Sequence, residues 1–466
     1  YQPNVDYYPP ERRAMMGGGA GISHRTATKA EDFSISYHKT YKVVRNLPAG
    51  LSYILRHCGT PEELSDIPAD AVGSPVFDVP VKKWSSGLTT TYTFLEELDL
   101  MPHAAVLDNK YMSSACGQKL VACGVIDAPQ GGWPAPPVNW TAEVENSSSQ
   151  VHFTDRPNFG TAMTGLSIDV AFDASSDPGL LNRAEWLKFA AAFFNKEPEA
   201  NRVFEDIKSR FEAIVAKVAA VEKGAALPVV AFFNAGTAGV YNGCPYGGSE
   251  LKITSGLYKE HLVTHGGGTL HDTALGEKWC APKEGCSAYI CPNATAFREV
   301  LKTIDVLIDE TYAYSPSSYT FENFKANYGL TDEDLANASE TSADYPFLVS
   351  SRVYRTDKRT SPANGGSDWM ESSLPHADEA LLDFALAIVP QLKDETLTHA
   401  GESEVLADRP TRWLRDLATG EAAAAVDPSE CDDPNKLGSS LFAGRVCRKS
   451  VTQMQATIAV LRAENA

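Results

Sequence analysis

The spacing of apolar and polar positions changes several times along this chain, and the changes divide it. Residues 1–30 are rich in Pro, Gly and Tyr, include Gly17-Gly18-Gly19, and carry neither a helical nor a strand period. They form an arm; when ordered, such an arm packs on its own body or on a neighbouring subunit. FSISYHKTYKVV (33–44) predicts two short strands around a polar turn, and LPAGLSYILRHCG (47–59) has helical spacing and a Gly stop. AVGSPVFDVPV (71–81) predicts a strand, FLEELDL (94–100) a helix tail, and AAVLD (104–108) another strand. Residues 126–160 read as loop, and SIDVAFD (167–173) as a closing strand.

From Asn182 to Gly224 the apolar positions fall three and four apart. That predicts one long helix, or two joined at Lys196-Glu197-Pro198. A second run follows: LPVVAFFN (227–234) as strand, LYKEHLVTHGGG (257–268) and ATAFREVLKT (294–303) as helices. IDVLIDET (304–311) and FLVSSRVYR (347–355) read as strands, and EALLDFALAIVPQL (379–392) as an amphipathic helix. Strands alternating with helices predict parallel sheets. The expected organisation is an N-terminal arm (1–30), an α/β lobe (31–178), a linking helix (179–225), a second α/β lobe (226–400), and a C-terminal extension (401–466) with a last helix at 451–465. The expected fold is thus α/β, two Rossmann-like lobes with parallel sheets joined by a long rigid helix.

Composition narrows the partners. The apolar share is 43%, the charged share 22%, and the net charge −19. An acidic chain lacks the basic face that phosphate binding requires, so nucleic acid is excluded as a partner. No apolar run is long enough to predict a membrane-spanning helix. The sequence starts at Tyr1 and is read as a processed, mature form. Sequons at Asn139, Asn146, Asn293 and Asn337 fit a secreted eukaryotic glycoprotein. The nine cysteines are Cys58, Cys244 and three local groups: Cys116/Cys123, Cys280/Cys286/Cys291 and Cys431/Cys447. Short loops closed by neighbouring cysteines suit disulfides in an oxidising compartment, with one thiol left over. No Cys-x2-Cys spacing supports a zinc site.

In order, YKVVRNLPAGLSYILRHCG, AVGSPVFDVP with WSSGLTTTYTFLEELDL, the helical stretch 182–224, LPVVAFFN, IDVLIDET and GGSDWMESSLPHADEALLDFALAIVP resemble the third class of periplasmic binding proteins. The resemblance covers roughly residues 30–400, and the late segment is similar to a eukaryotic, algal branch. No single motif is a fingerprint; the order of segments carries it. The resemblance implies two lobes with a ligand cleft between them and no catalysis. It also implies cargo such as a metal–siderophore, cobalamin, haem or bare metal ion, handed on to a membrane transporter.

In α/β lobes ligands meet the loops beyond the carboxyl ends of the strands. The candidate loops of the first lobe supply Tyr37, His38, Trp84, Ser85, Thr90 and Tyr111. Those of the second supply Asn234, Tyr241, Glu310, Tyr312, Arg352 and Arg355. Trp84 offers a flat apolar face, and Arg a planar fork for carboxylate or catecholate. Thr89-Thr90-Thr91 also reads as a helix N-cap. Arg352 and Arg355 straddle a strand end, so one of them faces the cleft. A bare metal would draw on His38, His265, His271 and Asp357, with Glu310. No nucleophile elbow, Walker loop or dinucleotide fingerprint is present, and His265-Gly266-Gly267-Gly268 reads as a helix end. The expectation is a non-enzymatic, extracellular binding protein without a required cofactor, an iron–siderophore or other metal chelate being cargo. Its rival is an extracellular assembly protein that self-associates through the N-terminal arm.

Overall fold

The computed structural model describes residues 2, 5–15, 30–129, 136–156, 164–222, 226–241, 244–271, 280–282, 288–313, 315–337, 344–363 and 365–431; for 236–241, 244–250, 282 and 337 only the backbone is described. The first lobe holds two sheets. β1 (Phe33–Tyr37), β2 (Tyr41–Asn46) and β3 (Leu51–His57) form an antiparallel meander, with β4 (Val76–Val79) parallel to β3. The second sheet is wholly parallel. It comprises β5 (Trp84–Ser86), β6 (Ala104–Leu107), β7 (Val151–Thr154) and β8 (Asp169–Ala171) in the order β6-β5-β7-β8. Three helices, α1 (Tyr92–Glu96), α2 (Ala115–Ala122) and α3 (Trp140–Ser147), lie between these strands.

The segment 47–59 is therefore a strand, not a helix. Tyr53 and Leu55 enter the main core while Ile54 enters a small second cluster with Tyr41 and Val43. A strand covered on both faces loses its alternation, and a short apolar run then reads equally well as helix. The reading of 126–160 as loop is likewise corrected, since it contains α3 and β7. Trp140 and Val144 anchor α3, and all four residues of β7 are buried.

The second lobe is built on a mixed sheet. β9 (Val229–Tyr241) and β10 (Cys244–Thr254) form a long hairpin, followed by α6 (Leu257–His265) and β11 (Thr269–Leu270). Next come β12 (Ala281–Pro282), β13 (Ala288–Cys291), α7 (Ala294–Leu301), β14 (Val306–Asp309), α8 (Phe321–Tyr328), α9 (Asp332–Asn337), α10 (Pro346–Val349) and β15 (Val353–Arg355). The chain continues through β16 (Arg359–Thr360), α11 (Trp369–Ser372), α12 (Ala377–Ile388) and the hairpin β17–β18 (Thr396–His399, Glu402–Val405). β19 (Arg415–Asp416) and β20 (Ala424–Ala425) follow. The parallel strands run β11-β9-β14-β15, with β10 sharing the β11 edge of β9. In chain order this is 2-1-3-4, the same order as β6-β5-β7-β8 in the first lobe.

The lobes are joined by a helical hairpin rather than one long helix. α4 (Leu180–Ala192) and α5 (Glu197–Ala220) are separated at Asn195, which has a left-handed backbone (φ 54°), and Pro198 sits in the first turn of α5. Both helices serve both cores. Leu180, Leu181 and Ala184 pack in the second lobe, while Trp186, Leu187, Phe189 and Phe193 pack in the first. On the way back, Ala200 still belongs to the first lobe, and Phe204, Ile207, Phe211, Ile214 and Val218 to the second.

The described part of the arm packs on its own lobe. Tyr8 is buried, with its ring 6.1 Å from Tyr37 and 5.9 Å from His57. Ala14 N donates to the Tyr37 hydroxyl (2.8 Å), and Met15 N to Asn201 Oδ1 (2.8 Å). Beneath Tyr8 lies the fully buried Lys42–Glu197 ion pair, with Lys42 Nζ 4.8 Å from the ring centre. The described residues of the arm thus find their partners within the first lobe and the linking hairpin.

The cysteine pairing also differs from the local expectation. Cys116 is bonded to Cys431, 315 residues away, and Cys123 is disulfide-bonded as well. Cys280–Cys291 is a local bond, as expected, and Cys58 is a free, exposed thiol. Cys286, Cys447 and the expected helix at 451–465 lie outside the described residues. Asn139 and Asn293 are exposed N-caps of α3 and α7, their Oδ1 atoms accepting from Ala142 N and Ala296 N. Asn146 is exposed, and the side chain of Asn337 is outside the described residues.

Candidate functional site

A parallel sheet of order 2-1-3-4 has its switch point between strands 1 and 3, whose connections leave in opposite directions, and a crevice opens at their carboxyl ends. In the first lobe those ends are Ser86 of β5 and Thr154 of β7. The adjoining residues are Thr89-Thr90 on one side and Asp155-Arg156 on the other. In the second lobe they are β9 beside Asn234 and β14, which leads into Glu310-Thr311-Tyr312.

Two sets of contacts join the first lobe and the linking hairpin to the second lobe. After β6, Ser113 donates from both its backbone N (2.8 Å) and its Oγ (2.6 Å) to Glu371 Oε2 of α11. Ser361 Oγ reaches the Lys110 carbonyl at 3.5 Å beside it. Burial pushes the Glu371 carboxyl up to about 8, against the lowering effect of the Ser113 hydrogen bonds. On the other side the Arg183 guanidinium of α4 lies 4.0 Å from the centre of the Tyr258 ring, and its Nε donates to the Asp177 carbonyl (2.8 Å).

In the second lobe Glu310 accepts from Lys259 Nζ and Thr254 Oγ1, both at 2.6 Å. Glu310 outweighs the effect of burial and holds Lys259 above the usual lysine range. Asn234 Nδ2 donates to the Glu310 carbonyl (3.2 Å), and its Oδ1 is buried with no hydrogen-bond partner among the described residues. Tyr312 is 61% and Tyr111 46% exposed, with Lys110 Nζ 5.1 Å from the Tyr111 ring centre. On the first-lobe side, Arg156 bonds Ser176 Oγ (3.0 Å) and pairs with Asp173 (3.5 Å).

Thr90, Tyr111, Glu310 and Tyr312 thus follow strand ends, as the sequence led us to expect; Asn234 instead lies within β9. Other candidates are placed differently. Trp84 is wholly buried, its indole N–H donating to the Leu100 carbonyl (2.7 Å). Ser85 Oγ is 2.9 Å from His152 Nδ1, both residues sealed within the sheet, so this Ser–His pair has no access to a substrate. The threonines cap nothing: no side-chain cap bond forms, and Thr91 Oγ1 donates to the Leu88 carbonyl (2.7 Å). Tyr37 and His38 lie in and beside the meander; Tyr37 holds the arm, and His38 stacks on Tyr41 at 4.3 Å. Only the backbone of Tyr241 is described.

Neither arginine offers a free fork. Arg352 precedes β15 at the opposite end of the strand, reaching the Ile388 carbonyl (3.4 Å). Arg355 is buried between Asp309 (2.5 Å) and Asp357 (2.7 Å), 3.9 Å from the Tyr319 ring centre. Asp357 also takes Arg415 (2.8 Å). The expected bare-metal set is not brought together. His38 is on the meander, His265 ends α6, His271 follows β11, and Asp357 is neutralised; among the described residues no three His, Cys, Asp or Glu converge on one point. Ser113 and Glu371 escaped the sequence reading, since a serine in a loop and a carboxylate in a short helix carry no periodic signal.

No family model and no curated protein matches this chain. Solved structures similar to it include a periplasmic binding protein from Veillonella parvula (TM-score 0.42, 11% identity, covering 66% of this chain and 90% of that one). A periplasmic heme binding protein from Pseudomonas aeruginosa gives TM-score 0.41 and 12% identity over 74% and 99% of the two chains. Ceue of Helicobacter pylori with Ni(II) bound gives 0.40 and 12% over 68% and 86%. At these scores the likeness carries no argument about ligand, and the architecture rests on the strands and helices described above.

Proposed function

We propose that this chain is a non-enzymatic, extracellular binding protein that holds a compact metal chelate, an iron–siderophore first among them, between its two lobes. The observation that supports this reading is the repetition of one parallel strand order in both lobes, so that each lobe has its own switch point. Exposed Tyr111 and Tyr312 supply aromatic faces, Lys110 and Arg156 positive charge for an anionic chelate, and Asn234 Oδ1 an acceptor. The bond between α2 and the C-terminal segment suits an oxidising, extracellular setting. In this reading a membrane transporter receives the cargo.

The test is elemental and mass analysis of native protein, joined to thermal melts against ferric siderophores and against the same siderophores without iron. Stoichiometric cargo, or a melting temperature raised by the ferric form, supports the reading. A clean protein that no chelate stabilises at a hundredfold excess overturns it.

A further inference from the structure

His261 and His265 stand one helical turn apart on α6, on the side of that helix turned to α5, in an open groove. Its walls are Leu181 from α4, Phe211, Val215, Ala216 and Ala219 from α5, and the exposed carboxylate-bearing Glu212 also lines it. The two rings face each other with centroids 5.4 Å apart, inclined by 53°, and the edge of Phe211 packs at 5.5 Å against His265. No described hydrogen bond occupies either imidazole.

We infer that His261 and His265 form a bidentate site for a borderline divalent transition ion such as Cu²⁺, Zn²⁺ or Ni²⁺, separate from the seam between the lobes. Histidines at i and i+4 on one helix face are a chelating arrangement in their own right. Two imidazoles bound to one tetrahedral ion through nitrogens about 2.0–2.1 Å away hold their centroids roughly 5 Å apart, so the observed separation asks for little adjustment. The neutral ring is the form that ligates. The site closes the last turn of α6, where the negative end of the helix dipole favours a cation. Glu212 lines the same groove, and water completes the coordination of the ion. His265 was expected to ligate with His38, His271 and Asp357; the structure gives it His261 instead.

The probe is Cu²⁺, the tightest-binding divalent ion of its row, titrated into the full chain and its variants at pH 7.5. The expected result is a site of micromolar affinity or better whose electron paramagnetic resonance shows coupling to two nitrogens. His261→Gln and His265→Gln each weaken it at least tenfold and leave one nitrogen, while His399→Gln, on another face, changes nothing. Metal-free melting temperatures of the variants, expected within about two degrees of the parent, show that the fold is kept. Binding by the His261→Gln/His265→Gln double variant equal to that of the parent, or no such site in the parent, overturns the inference. Neither readout involves a chelate in the seam, so the two proposals stand or fall separately.

Discussion

Cys116, on helix α2 of the first lobe, is covalently bonded to Cys431, which follows β20 of the second. Cys431 is held to the second lobe by its surroundings: β20 pairs with β16, and Glu430 pairs with Arg359 (2.8 Å). Lys119 Nζ adds a hydrogen bond to the Cys431 carbonyl (2.7 Å). With the α4–α5 hairpin, the lobes are tied on both sides of the seam, which argues for a ligand received with little domain movement.

Cys116→Ser should therefore loosen the pair of lobes. A crosslink of this span is worth about 2–5 kcal/mol, so the melting temperature should fall by several degrees. Hydrogen exchange should rise at Ser113–Ala122 and at 424–431. An unchanged melting temperature under reducing and oxidising conditions would show that the bond contributes nothing.

Glu371 predicts a pH dependence. Its folded value of about 8 lies above the ordinary glutamate value, so the folded chain binds more protons than the unfolded chain between those limits. Its contribution is complete below the ordinary value and is lost as pH rises to about 8, at up to roughly 1.4 kcal/mol per pH unit. Glu371→Gln keeps the acceptor for Ser113 without the charge. It should stabilise the protein at pH 9 and flatten the fall in melting temperature from pH 6 to 9; an identical slope in both proteins would reject this role.

Arg355 is a structural cation. Arg355→Ala leaves Asp309 and Asp357 less than fully compensated in the interior and should cost about 3–5 kcal/mol, seen in urea unfolding. Were Arg355 a ligand-holding fork instead, the variant would bind more weakly at unchanged stability.

Tyr312→Ala and Tyr111→Ala should weaken a bound ferric chelate about tenfold while leaving the melting temperature alone, because both rings are exposed. Trp84→Ala should do the reverse, costing about 3–5 kcal/mol of stability through the core. Calorimetry of the three variants separates the two outcomes.

The strand–helix alternation was legible because β9 and β14 begin as short apolar runs beside turn residues and α5 carries a clean helical period. It misled at 47–59, where cover on both faces erases the period. It could place a loop at a strand end, as for Tyr111 and Tyr312, but not the direction of a side chain. Trp84 and Ser85 sit on a strand whose two faces are both interior, and Arg355 is held by its near neighbour Asp357 and by Asp309 from a distant segment. Cys116 and Cys431 show the same limit, since proximity along the chain says nothing about partners brought together by folding. His261 went unnoticed because 257–268 was read only as a helix ended by its glycines.

The arm has a consequence for the order in which the molecule is made. Met15 N is bound by Asn201, and the Met15 carbonyl accepts from Lys188 Nζ. Ala30 N is bound by Glu185 Oε2 (2.8 Å), and the Lys42 ammonium has its counter-ion in Glu197. These bonds of Met15, Ala30 and Lys42 thus cannot form until the segment 185–201 has also been made. During synthesis the groups stay without these partners while the first lobe is produced, and their pairing marks that lobe as complete.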